Sequence, residues 1–146
     1  MENKYITIDG FESLTKQQMF DISAKHILST GRPSYVNDSN GVHGCVYRGS
    51  GCAAAPFIRE EERKKADEPK VYFGTKYPYS GWGDLASNNL VPRHHQDLVA
   101  DFQVCHDTYA SKVVTDDDLA IWLSNWKVAM RRVAKIHDLD PSILDS

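Results

Sequence analysis

Residues 115–137 read TDDDLAIWLSNWKVAMRRVAKIH, and this stretch sets the class of the fold. Thr115 has the chemistry of an N-cap, and Asp116, Asp117 and Asp118 place carboxylates in the first turn, where the helix dipole favours them. Leu119, Trp122, Leu123, Trp126, Met130, Val133, Ala134 and His137 recur at helical spacing and form one wide apolar face. Arg131, Arg132, Lys135 and His137 match the negative end of the dipole, and Asp140-Pro141 stops the chain from continuing as helix.

Two further helices follow from the same logic. Upstream, residues 93–111 put Leu98, Phe102, Cys105 and Tyr109 on one stripe. Near the N-terminus, Thr15 and Gln18 have capping-box spacing, Phe20, Ala24, Ile27 and Leu28 share a face, and Gly31 with Pro33 marks the stop. Between them the texture changes. Asn37-Asp38-Ser39-Asn40-Gly41 is a turn by composition, flanked by Tyr35-Val36 and by residues 42–47, which can pair as a hairpin. Cys52 to Ala55 can open a short helix, and Pro56 fits the first turn of another reaching Ala66. Its charge run, Arg59 to Lys65, reads as a solvated face with local ion pairs. The expectation is an α+β fold, mainly helical, with three principal helices packed around a small β-hairpin in one domain spanning residues 1–146.

Composition narrows the function. The chain has 146 residues, 41% hydrophobic and 25% charged, with net charge −3. That is a globular composition, large enough for one core. Lys and Arg are dispersed, which argues against a nucleic-acid partner, since such binders gather a basic patch. No apolar run approaches the ~20 residues that span a bilayer, so no membrane partner is expected. The start, Met1 to Ile6, lacks a basic stretch followed by an apolar core, and the three cysteines are an odd number. A cytoplasmic chain with reduced thiols is the expectation. Neither a phosphate loop, a dinucleotide fingerprint nor an HExxH pattern occurs.

The candidate chemistry lies in Cys45-Val46-Tyr47-Arg48-Gly49-Ser50-Gly51-Cys52-Ala53-Ala54 and, further on, His106-Asp107. Cys52 follows a glycine turn and can sit at a helix start, where backbone N–H groups lower a thiol's pKa. A nucleophilic Cys52 would need His106 as base and an acceptor to orient it. Side chains of neighbouring helical residues diverge by about 100°, so Asp107 is poorly placed for that task. A zinc site would draw on Cys45, Cys52 and His106, with His43 or Cys105 as further ligands. Six residues separate Cys45 from Cys52, wider than the close pairs zinc usually takes. The third reading makes all three cysteines small buried residues, with His106 and Asp107 holding loops by hydrogen bonds. His94 and His95, as helical neighbours, should diverge into solvent. Residues 67–92 are rich in aromatics and breakers; Tyr77, Tyr79 and Trp82 are the candidate partner-binding residues, weighed against a role as core anchors.

The ordered set Met19-Phe20-Asp21-Ile22, His26-Ile27-Leu28, Cys45-x-Tyr47-Arg48, Gly51-Cys52-Ala53, Ile58 and Phe102-Gln103-x2-His106-Asp107, closed by a Trp-bearing helix, resembles a family of small uncharacterised proteins of tailed phages and prophages. Their shared core reads Cys-x-Tyr-Arg, Gly-x-Lys-Cys-Ala-x-Gly, Ile-Pro-Asp and Leu-Gln-x2-His-Asp. This chain departs from it at Ala55, where the family has Gly, and at Arg59-Glu60-Glu61, where the family has Pro-Asp-Asp. The resemblance implies a setting, a phage accessory gene in a bacterial host's cytoplasm, and no reaction. The leading expectation is therefore a non-enzymatic accessory protein that binds and modulates, by inhibition, a host protein such as a defence, transcription or nuclease component. A hydrolase or transferase using Cys52 and His106, and a zinc-stabilised interaction module, are the alternatives.

Overall fold

A computed structural model describes residues 4–37, 43–49, 51–68, 70–72, 75–77 and 81–146, with the backbone alone at 37, 43, 70–72 and 75–77. Five α-helices are present among them: α1 (Lys16–Thr30), α2 (Arg63–Asp67), α3 (Trp82–Ser87), α4 (Gln96–Asp107) and α5 (Asp116–His137). Two antiparallel hairpins accompany them, β1 (Tyr35–Asn37) with β2 (His43–Cys45) and β3 (Lys70–Tyr72) with β4 (Thr75–Tyr77). The protein is α+β and mainly helical. Expected turn residues 38–41, together with Ser50 and Tyr79, lie outside the described residues, as do the side chains of His43 and Tyr77.

Local signals fix the long helices. At α1 the Thr15 hydroxyl accepts from Gln18 N–H at 3.1 Å and the Gln18 amide oxygen accepts from Thr15 N–H at 2.8 Å, a reciprocal cap. Gly31 ends α1 in the left-handed conformation, φ 66°. At α5 the same box forms between Thr115 and Asp118, with N–H to oxygen distances of 3.0 and 3.1 Å. The helix ends at His137, with Asp138 left-handed at φ 58°. Helix α4 is shorter than expected. His95 adopts φ 48°, ψ 36° immediately before it, so the helix starts at Gln96, and a second left-handed residue, Tyr109, opens the turn that follows.

Helix α4 runs through the middle of the core, with α1, α3 and α5 against it and β2 along it. Five aromatic side chains knit this centre. Phe57 lies 5.6 Å from Phe11, 6.2 Å from Trp82 and 6.5 Å from Phe102 between ring centroids, and Phe20 meets Phe102 at 6.1 Å. All five are sealed from water. Burying each is worth roughly 2–3 kcal/mol relative to exposure. The 3₁₀ turn Ala55–Phe57 feeds Phe57 into this cluster. It takes the place of the two helices read into residues 52–66, of which only α2 and a 3₁₀ turn at Glu60–Glu62 are regular.

The charge run from Arg59 to Lys65 is not simply solvated. Arg59 Nη1 donates to the carbonyls of Tyr5 (2.6 Å) and Thr7 (3.0 Å), and its guanidinium also meets Glu61 and Glu62 at 3.4 Å. It clasps the N-terminal segment, whose Thr7 bridges Ile58 and whose Ile6 N–H reaches Leu90 carbonyl at 2.9 Å. A sequence run shows charge density but not which cation turns inward. At the other terminus Gln17 exchanges two hydrogen bonds with the Asp140 backbone, at 2.8 and 3.0 Å, drawing residues 142–145 against α1.

Candidate functional site

Strand β2 delivers Cys45 to the core, and the chain then doubles back so that Cys52 N–H donates to Val46 carbonyl at 2.9 Å. Gly51 makes the return possible. Its φ is +76°, and a Cβ there would lie 2.3 Å from the Ala55 methyl and 2.5 Å from Tyr47 carbonyl oxygen. Ala55, where the resembled family has Gly, sits at the start of the 3₁₀ turn Ala55–Phe57, and its methyl packs toward Gly51. From outside, the buried Asp67 carboxylate accepts from Tyr47 N–H (2.8 Å) and Arg48 N–H (3.1 Å). From α1, Ser23 hydroxyl donates to Ala53 carbonyl at 2.7 Å and His26 Nε2 donates to Gly51 carbonyl at 3.2 Å. The unbranched, small residues Cys52 to Ala55 are all sealed, which lets α1 approach this closely.

Inside the loop, Cys45, Cys52, Tyr47 and Gln103 form one buried polar cluster. Gln103 Nε2 donates to Tyr47 hydroxyl at 2.6 Å and to Cys45 Sγ at 3.4 Å, while its Oε1 accepts from Trp82 N–H at 2.7 Å. The contact with Cys52 and burial push the Cys45 thiol well above its ordinary value. Burial, with Cys45 and Cys52 close by, does the same to Tyr47. Cys105, on α4, is pushed up to about 12, chiefly by burial. These directions are opposite to those of a reactive thiolate, which needs nearby positive charge or a helix start.

His106 is sealed from water, and both ring nitrogens are engaged. Ser34 N–H donates to Nε2 at 2.9 Å, which leaves the proton on Nδ1, and Nδ1–H donates to Asp107 Oδ1 at 2.7 Å. The expectation that Asp107 is poorly placed to orient His106 is therefore corrected. Angular divergence decides which face of a helix each residue lies on; it does not stop the short arms of two neighbours from meeting at the last turn of α4. Trp122 closes the site from α5, with Nε1 donating to His106 carbonyl at 2.9 Å and its indole edge-on to the imidazole at 5.8 Å. A base at Nε2 would have to give up Ser34 first. The geometry is that of a histidine that pins the α1–β1 connection to α4.

Among the described residues no three His, Cys, Asp or Glu side chains are grouped so as to hold a metal ion. Trp82, expected among the partner-binding residues, is completely buried against Phe11 and Phe57, with its backbone N–H bonded to Gln103; it is a core anchor. His94 and His95 do not diverge. Their rings lie 4.0 Å apart, and His94 Nε2 donates to Leu14 carbonyl at 2.8 Å. Two residues central to the site carried no role in the sequence reading. Gln103 stood in the resembled pattern, but its partners come from residues 45, 47 and 82; Asp67 stood at the head of the stretch 67–92, just past the charge run, with no local feature to mark it. No helix among the described residues is long and apolar enough to cross a membrane. No family model, curated protein or solved structure matches the chain.

Proposed function

We propose that this chain is a phage accessory protein that works by binding, without catalysis, and that it modulates by inhibition a host protein of the bacterial cytoplasm. The observation that carries the reading is the contrast between the two sides of the molecule. The polar atoms of the cysteine–histidine centre are turned inward and bonded to one another or to backbone. Meanwhile Val104, Tyr109, Val114, Ile121, Val128 and Ile136 stand exposed, all on α4, α5 or the connection between them. Function then rests on surface recognition, with α1, α4 and α5 as the principal helices framing the β1–β2 hairpin and holding that surface rigid. The phage setting is supported by the residue pattern from Met19 to Asp107, and the defence, transcription or nuclease class of partner by that setting alone.

Crosslinking of the tagged chain inside bacterial cells tests this. A host protein should be enriched reproducibly, and a folded Cys52→Ala variant should retain it. If instead Cys52→Ala folds normally but abolishes an ester- or amide-cleaving activity of the purified chain, the binding-only reading is wrong.

A further inference from the structure

Helix α5 is buried along one side only. Successive helical residues advance by about 100°, so Asp117, Ile121, Asn125, Val128, Arg132 and Lys135 fall within about 40° of one line along it. All six are exposed, opposite the face that buries Trp122, Trp126, Met130 and Val133. The line is ordered by chemistry. It is acidic at its start, aliphatic at Ile121 (60% exposed) and Val128 (46% exposed), and basic at its end. The helix dipole accounts for Asp117 in the first turn and Lys135 in the last, but its influence does not extend to Arg132. Arg131 is taken by Asp145 at 2.6 Å, whereas Asp117, Arg132 and Lys135 meet no opposite charge among the described residues.

Such a line complements itself when it is reversed. Set antiparallel to a second copy with residue 121 level with residue 128, the same register brings residue 117 level with residue 132 and leaves Asn125 beside the dyad. Ile121 then meets Val128 of the second copy, and Asp117 meets Arg132 of the second copy with Lys135 one turn further on. The two-fold axis repeats each pair. A parallel pairing in register does the opposite, setting Asp117 against Asp117 and Arg132 against Arg132. Shape agrees with the antiparallel arrangement. Ile121 borders a cleft of about 370 Å³ that is also lined by Tyr109, Val113, Trp122 and Asn125. Its two charged walls, Lys112 and Asp118, are of opposite sign, so it suits an uncharged side chain such as Val128 of the second copy.

We infer that the outer face of α5 is a two-fold, antiparallel interface between two copies of this chain, with Ile121 on Val128 near its centre and Asp117 on Arg132 toward its ends. Two aliphatic residues and one ion pair per chain make it a weak contact, with a Kd on the order of 10–100 µM. The inference stands apart from the reading of the chain as a binder of host proteins, since it concerns only pairing between copies.

Sedimentation equilibrium of the full chain from about 5 to about 500 µM tests this, and should show a monomer–dimer equilibrium that weakens with salt. In the dimer Asp117→Arg sets arginine against arginine at both ends, and Arg132→Asp sets aspartate against aspartate. Each variant alone should weaken self-association by about tenfold or more. An equimolar mixture of the two variants brings opposite charges together at both ends, and should recover the association of the unmodified chain within about threefold. Both positions are exposed, so the circular dichroism and thermal melt of each variant should stay near those of the unmodified chain. A chain that remains monomeric at about 500 µM overturns the interface. A dimer that neither variant weakens overturns this face of α5. Variants that each weaken it but do not recover on mixing overturn the antiparallel register.

Discussion

At Gly51 a missing methyl group decides the shape of the Cys45–Cys52 loop. Two independent constraints meet there, a positive φ and an approach that leaves no room for a Cβ beside Ala55 and Tyr47 carbonyl. Gly51→Ala should therefore cost about 3 kcal/mol, seen as a fall in the urea midpoint, because neither backbone nor methyl can yield cheaply. Gly49 is left-handed too, but a Cβ there meets nothing within 4 Å, so Gly49→Ala should cost clearly less. The need for glycine at both positions was legible in the sequence as a turn. Which of the two is indispensable was not, because the obstructing atoms belong to the chain's own return path. Gln103 makes the same point more strongly. Its residue type says only that it can donate and accept, and its three partners come from two distant segments, the Cys45–Tyr47 stretch and the start of α3.

Elements were legible in proportion to how local their signals are. The ends of α1 and the start of α5 were readable because a cap residue and its partner, or a glycine stop, lie within four residues of sequence. The start of α4 was not, since nothing in the local sequence marks His95 as the residue that turns left-handed; it does so beside His94, which reaches Leu14 carbonyl. The second hairpin, β3 with β4, and the six-residue helix α3 were too short to leave a period in the sequence. Helix α5 offers an internal comparison. Trp122 and Trp126 are equally buried, but Trp122 Nε1 donates to His106 carbonyl whereas Trp126 Nε1 has no partner among the described residues. Replacing either by Phe removes similar volume. Trp122→Phe should be the more destabilising by about 1–2 kcal/mol, since it alone breaks a hydrogen bond and leaves a buried carbonyl short of a partner. Equal losses in chemical denaturation would mean that the His106 carbonyl finds another donor.

Over the whole molecule, the polar chemistry of the cysteine–histidine centre has been folded inward and large apolar side chains left exposed along α4, α5 and their connection. The fold class, the existence of the three long helices and the reach of α1 and α5 followed from composition and periodicity. The direction each candidate side chain faces did not, because burial depends on contacts between distant segments. Enclosure also sets a pH dependence. Cys45 and Cys105 have folded pKa values above their unfolded value of 9.0, Cys105 near 12. The unfolded chain therefore loses protons first as pH rises. The stability these thiols contribute is full below about 9 and is lost as pH climbs through the folded values, so the denaturation midpoint should fall between pH 9 and 11.

The most direct measurement is the rate of thiol alkylation of the native chain against pH, resolved by residue, with and without a chelator. The account predicts that Cys45, Cys52 and Cys105 all stay inert from pH 6 to 9, that chelation changes nothing, and that reaction follows only when urea opens the fold. Rapid modification of Cys52 in the folded protein with an apparent pKa well below about 8.5 would contradict it, and would move the chemistry back to Cys52 and His106.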